Sequence, residues 1–178
     1  LKDYDRDLAK RYIIPSKMDD YRNKGHNALK AYLAAREEMF AQSAQPEVSF
    51  YGEGVVLGDA ILGGKIDRLE VDDKAKTVKV VDYKTGRAFT RWEKELKLLK
   101  YKQQLYFYKI LLEGSHTWQS YKVIGARLEF VEQLDGEIVP PLEIAFKDEE
   151  EKEARAAAKE AERLRKQKEK EEKERRKR

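Results

Sequence analysis

Asp82 and Lys84 stand two apart in the stretch Val81-Asp82-Tyr83-Lys84-Thr85-Gly86, which closes a run rich in Val. Successive side chains of a strand point to opposite faces, so the carboxylate and the ammonium project together while Tyr83 turns the other way into the core. An earlier stretch, Gly64-Lys65-Ile66-Asp67-Arg68, supplies a second carboxylate. Paired carboxylates are ligands for Mg²⁺, with Mn²⁺ as a possible substitute; a bound water then becomes a stronger nucleophile and phosphate oxygens are polarised. Phosphodiester hydrolysis is the chemistry that suits this set, with Lys84 orienting or helping to deprotonate the water and offsetting charge on the reacting phosphate. Gln104 and Tyr108, spaced i, i+4 in a helical stretch, share a face and could hydrogen-bond the site or the substrate.

The elements that must position these residues follow from periodicity. Thr77 to Lys84 reads as a central strand, because Val78 and Val80 serve one face while Val81 and Tyr83 serve the other. Asp72-Asp73-Lys74 makes a polar turn behind a strand of about Ala60 to Val71. If the two strands pair antiparallel through that turn, register and twist decide whether Asp67 lies near Asp82. Arg91 to Glu113 has helical spacing and stops at Gly114. Upstream, Ser16 with Asp19 reads as an N-cap and capping-box acid opening a helix to about Ala41, with Tyr21, Ala28, Leu29, Tyr32, Leu33 and Phe40 on its apolar side. Glu47 to Tyr51 and Gly54 to Leu57 look like short strands. Tyr121 to Val131 sets Ile124, Ala126, Leu128 and Phe130 against Lys122, Arg127 and Glu129, and an Asp135-Gly136 turn leads to a last strand with Leu142, Ile144 and Phe146. Helix, strands, helix, strands predicts a mixed α/β sandwich.

Composition sets the limits. With 40% charged residues among 178, far above the usual quarter, one globular domain with a solvated appendage is the expected plan. The domain is placed at 1–147 and the appendage at 148–178, a charged helix. From Lys147 to Arg178 fourteen Lys or Arg face eleven Asp or Glu, an excess of three out of a net charge of +4. No apolar residue follows Leu164, and Glu162 with Lys166, Glu169 with Lys173, Glu171 with Arg175 and Glu174 with Arg178 are spaced for acid-first i, i+4 pairs. The tail is therefore expected to stay off the core. The absence of Cys excludes disulfides, zinc ribbons and cysteine-ligated clusters, which leaves oxygen and imidazole as metal ligands. No run of about 18 apolar residues or signal peptide occurs, so a cytoplasmic protein with no membrane contact is expected. The opening at Leu1 suggests a fragment of a longer protein.

The three ordered motifs, Gly64 to Asp67, Asp82-Tyr83-Lys84-Thr85-Gly86 and Gln104 to Tyr108, resemble the G-x-x-D, D-Y-K-T-G and Q-x-x-x-Y series of RecB-like PD-(D/E)XK nucleases. In particular they are similar to the nuclease domain at the C-terminus of UvrD/Rep-type superfamily 1 helicases. The resemblance covers roughly residues 47 to 146. It implies a restriction-endonuclease-like mixed sheet flanked by helices, DNA as substrate, Mg²⁺ as cofactor and the helicase domains of a parent polypeptide or complex as partners, in repair or recombination. By similarity Asp67, Asp82 and the Tyr83 carbonyl are metal ligands, Lys84 is the catalytic lysine, and Gln104 and Tyr108 are the accessory motif.

Departures bear on further ligands. The family often carries an upstream His in a G-x-x-x-H context, whereas Gly25 and His26 are adjacent here, so His26 reads first as an ordinary helix-surface histidine. Glu47 matches an acidic position that often precedes the family's second strand, and reads equally well as a solvent-facing strand residue. A fold that has kept its shape and lost its chemistry, acting as a DNA-binding or scaffolding module, is the rival reading. The aromatic set Tyr101, Tyr106, Phe107 and Tyr108 could stack on bases, but its helical spacing favours a core role.

Overall fold

Thr77 to Lys84 offers Val at both parities of a strand, and β-branched side chains on both faces need cover on both. The computed structural model describes residues 1–40 and 43–177 and sets this segment in the middle of a sheet. The elements run α1 (Lys2–Leu8), α2 (Pro15–Ala35), α3 (Glu37–Phe40), β1 (Ala44–Ser49), β2 (Val56–Leu57), β3 (Ala60–Ile61), β4 (Lys65–Asp72), β5 (Thr77–Lys84), α4 (Leu96–Gly114), β6 (Lys122–Phe130), β7 (Leu142–Ile144) and α5 (Asp148–Lys177). Five strands form one sheet in the order β1-β4-β5-β6-β7, and β2 pairs with β3 in a separate ribbon. The mixed α/β sheet flanked by helices, with a C-terminal helix, is the architecture expected.

The chain divides into two compact units, and each has its own core. The first comprises residues 1–42, 83–91 and 128–142. Here Tyr32 is the buried residue of α2, and its ring meets Tyr83 at 6.0 Å and Phe40 at 6.3 Å edge-on. Arg36, where the helix breaks between α2 and α3, reaches the buried Glu129 at 3.1 Å and donates to the Val139 carbonyl at 2.7 Å. Asp135 and Gly136 take φ of 52° and 87°, the paired positive values of a tight hairpin turn, and Leu134 and Glu137 exchange backbone hydrogen bonds across it.

The second unit comprises residues 43–82, 92–127 and 143–178 and holds β4, most of β5, α4 and α5. Its core is built by Ile66, Leu69, Val78, Val80, Leu105, Leu111 and Leu112, all essentially inaccessible. The turn between β4 and β5 has a specific chemistry. The Asp72 side chain accepts the N–H groups of Lys74 and Ala75 at 2.9 Å each, and Lys76 takes a left-handed φ of 51°. Asp72 is thereby set opposite Thr77, and the antiparallel register continues through Leu69 opposite Val80 to Arg68 opposite Val81.

Several expectations need correction. The first long helix begins at Pro15 with Ile14 at the N-cap and no side-chain cap, so Ser16 and Asp19 do not form a capping box. Proline at the first helical position removes one unpaired donor, and the Lys17 N–H is taken up by the Ile14 carbonyl at 2.9 Å rather than by a side-chain cap. That helix also ends early, at Ala35, and Tyr21, Leu33 and Phe40 remain 50%, 47% and 44% exposed, so its apolar side is only partly used. The expected end near Ala41 lies outside the described residues. The single strand expected from Ala60 to Val71 is broken into β3 and β4. The last helix of the body starts at Leu96 rather than Arg91, with the Trp92 indole donating to the Glu143 carbonyl at 2.8 Å, and it includes Gly114. On β6 the faces differ from those expected, with Val123 and Glu129 buried and Ile124 55% exposed.

The charged tail brings the largest correction. Glu150 receives hydrogen bonds of 2.6 Å from both Lys102 and Tyr106, Glu151 receives one of 2.6 Å from Lys109, and Ala154 is buried. Lys166 donates to the Asp59 carbonyl at 2.9 Å. Residues of α5 up to Lys166 are therefore docked, through polar partners on α4 and at Asp59 together with the burial of Ala154, a source of attachment invisible in the tail's own composition. Of the acid-first pairs expected within the tail, Glu174 with Arg178 lies outside the described residues, and the others differ: among the described residues Arg165 meets Glu162 and Glu169, and Arg176 meets Glu172.

Candidate active site

Extending the β4–β5 register by one residue sets Asp67 opposite Asp82. Residues directly opposite in an antiparallel pair share a face, with Cβ atoms about 4.5 to 5.5 Å apart, so both carboxylates are on the face that also carries Leu69 and Val80. Asp82 is 1% exposed and Asp67 is half-buried. Lys84, at the end of β5, has the parity of Asp82, and its carbonyl accepts the Val131 N–H at 3.1 Å. Tyr83 has the opposite parity, with its ring against Tyr32.

Helix α4 comes onto the carboxylates from above. Gln104 donates to the Tyr108 hydroxyl at 2.6 Å, and that hydroxyl donates to Asp82 Oδ1 at 3.2 Å. The amide can only donate through its nitrogen, so the chain of bonds has one direction and leaves the phenol proton on the carboxylate side. Burial, and after it the negative charges of Asp82 and Asp67, hold the Tyr108 phenol well above its usual value. Tyr108 thus stays a neutral donor over the whole working pH range. The i, i+4 spacing foretold a shared face, but not that the glutamine acts on the tyrosine and the tyrosine on the aspartate.

The two glycines of the motifs have separate physical reasons. A Cβ on Gly64 would lie 3.0 Å from Leu111 Cδ1 and 3.4 Å from Phe107, so the missing side chain lets the start of β4 approach α4. Gly86 has φ of 116° with open space where a Cβ would stand, so its backbone conformation rather than crowding calls for glycine after Lys84.

Among the described residues no three His, Asp or Glu side chains gather into a metal-binding group. The donor set that is present, two facing carboxylates, fits a hard divalent cation that takes oxygen ligands and completes its shell with water. Glu47 lies in β1 between Pro46, which faces Arg68, and Val48, which faces Ile66; it has an unusual φ of 55°, and its carboxylate pairs with Lys65. His26 binds Asp5 Oδ1 through Nε2 at 2.7 Å and meets the Tyr4 ring edge-on. Of the aromatic set, Tyr106 and Tyr108 are buried, at 2% and 6%, which gives them the core role. No helix among the described residues is long and apolar enough to cross a membrane.

The family model of the PD-(D/E)XK nuclease superfamily matches residues 4–177. No curated protein matches the chain. Since the match takes in both long helices of the second unit and every strand of the sheet, the chain belongs to the PD-(D/E)XK nuclease superfamily.

Proposed function

We propose that the chain hydrolyses DNA phosphodiester bonds with Mg²⁺, Mn²⁺ being able to replace it, as the nuclease part of an ATP-dependent helicase-nuclease that acts in cytoplasmic DNA repair or recombination. The observation that supports this reading is the antiparallel β4–β5 register, whose extension by one residue brings Asp67 opposite Asp82, together with the bond from the Tyr108 hydroxyl to Asp82. Asp67, Asp82 and the Tyr83 carbonyl would hold the cation. Bound there, it would polarise the phosphate and lower the pKa of water. Lys84, of the same strand parity as Asp82, orients the attacking water and offsets charge building on the phosphate. Tyr108 and Gln104 hold the Asp82 carboxylate in one orientation, so that it does not have to be ordered during the reaction.

The test is cleavage of plasmid DNA by the parent protein with Mg²⁺, with Mn²⁺ and with chelator. Asp82→Asn and Lys84→Ala should each lower the rate by roughly 10²- to 10³-fold while circular dichroism stays unchanged. Undiminished cleavage by Asp82→Asn would place the chemistry elsewhere. A wild-type protein that binds DNA and never cleaves it would establish a binding module instead.

A further inference from the structure

On an ideal helix residues advance by about 100° each, which places Lys97, Tyr101, Gln104 and Tyr108 within an arc of about 60° on α4. The Tyr108 end of this stripe touches Asp82, and the other end is at the first turn of the helix. Lys97 and Lys100 are exposed, Tyr101 is half-buried, and the Lys97 ammonium lies 5.8 Å from the centre of the Tyr101 ring. From Leu96 to Leu112 the helix contains no acidic residue. Its other lysines, Lys102 and Lys109, project from a different side and are engaged by Glu150, Glu113 and Glu151. Lys97 and Tyr101 therefore continue the line of the site residues outward from Asp82, and Lys100 lies about 40° to one side of that arc, with no acid between Leu96 and Leu112.

We propose that Lys97, Lys100 and Tyr101 form a rail for single-stranded DNA leading into the site, with the lysines on successive phosphates and one unpaired base stacked on Tyr101. The proposal rests on the nuclease reading for its direction but not for its chemistry. The distance along the axis from Lys97 to Tyr108 is about 16 Å, which at roughly 3.4 Å per nucleotide of a stacked strand accommodates four or five nucleotides. A single strand is favoured over a duplex because an aromatic ring can stack only on a base that is not enclosed in a helix. The arrangement of cation, aromatic ring and neutral hydrogen-bond donors in sequence is that of a surface tracking a strand rather than gripping one phosphate.

Binding of fluorescein-labelled oligo-dT to the whole chain, followed by anisotropy in chelator across a salt series, separates this rail from cleavage. Lys97→Ala with Lys100→Ala should reduce the slope of log K against log salt by about 1.4, two single-strand phosphate contacts, while Lys74→Ala in the β4–β5 turn should leave it unchanged. Tyr101→Ala should weaken binding roughly 5- to 150-fold with the slope preserved, and Tyr101→Trp should restore it. Unchanged affinity and slope in the lysine pair, or equal binding of a duplex with no effect of Tyr101→Ala, would overturn the rail even if wild-type cleavage proves metal-dependent. Conversely, loss of binding in these variants with no cleavage by any form would retain the rail and remove the nuclease reading.

Discussion

Two sides of helix α4 carry nearly the same residue types and do different things. On one side Lys102, Tyr106 and Lys109 meet acids of α5, Lys102 pairing with Glu150 and Lys109 with Glu151 as well as with Glu113 of α4 itself. On the other, Gln104 donates to Tyr108, and Tyr108 donates to a carboxylate that belongs to a strand. Both tyrosines are buried phenols that donate to a carboxylate, Tyr106 to Glu150 at 2.6 Å and Tyr108 to Asp82 at 3.2 Å. Burial, with the neighbouring carboxylate behind it, pushes both phenols up, Tyr106 to about 12. The difference lies in what surrounds the acid. Beside Glu150 a lysine stands with the tyrosine and the two close a structural clamp; at Asp82 the tyrosine is itself held by a glutamine of the same helix.

Removing α5 altogether should break the clamp side with the largest effect. A chain ending at Lys147 loses the acceptor of Tyr106, the Glu150 partner of Lys102 and one of the two partners of Lys109, hydrogen bonds to charged groups at partly buried positions, and should lose on the order of 2 to 4 kcal/mol in denaturant unfolding. Stability equal to that of the full chain would return α5 to the role of a detached tail.

The two phenols can then be set against each other. Tyr106→Phe should cost about 1 to 2 kcal/mol of stability and leave cleavage intact, whereas Tyr108→Phe should slow cleavage about tenfold by freeing the Asp82 carboxylate. Equal effects on both readouts would end the distinction between the two sides.

Acid should loosen the clamp specifically. Lys102, then Tyr106, hold Glu150 below its ordinary 4.5, and Glu151 is also low because Lys109 and Arg155 prevail over its burial. Their folded values are depressed, so the stability they contribute is present above about pH 4.5 and is lost as pH falls through the lower folded values. The gap in melting temperature between wild type and Glu150→Gln/Glu151→Gln should accordingly close on acidification below that value, and a gap independent of pH would contradict the ion-pair account. The smallest effect is expected from a chain ending at Lys166, within about 0.5 kcal/mol of wild type, because the ion pairs beyond that point are local to the exposed helix.

The site strand was legible for a simple reason. A strand buried on both faces needs apolar residues at both parities, so Asp82 and Lys84 stand out on Thr77–Lys84 as polar residues where apolar ones would pack. The polar turn after β4 was legible too, as Asp72-Asp73-Lys74. Its consequence was not: whether Asp67 falls opposite Asp82 depends on how many residues the turn encloses, and a slip of one would send Asp67 to the other face. The hydrogen bonds of Asp72 and the left-handed Lys76 decide that count.

Other errors came from contacts between segments far apart in the chain. The Ser16 cap failed because Pro15 starts the helix unaided, and the tail was expected to stay undocked because its attachment is written in Lys102, Tyr106 and Lys109, more than forty residues earlier. By itself the sequence determined the order of helices and strands, the strand that carries Asp82 and Lys84, and the helix face shared by Gln104 and Tyr108, because each follows from local periodicity along a few turns or pleats. The facing of Asp67 and Asp82, the aim of Tyr108 at Asp82, and the docking of α5 were decided only in the tertiary structure, where register and packing bring together residues that no periodicity connects.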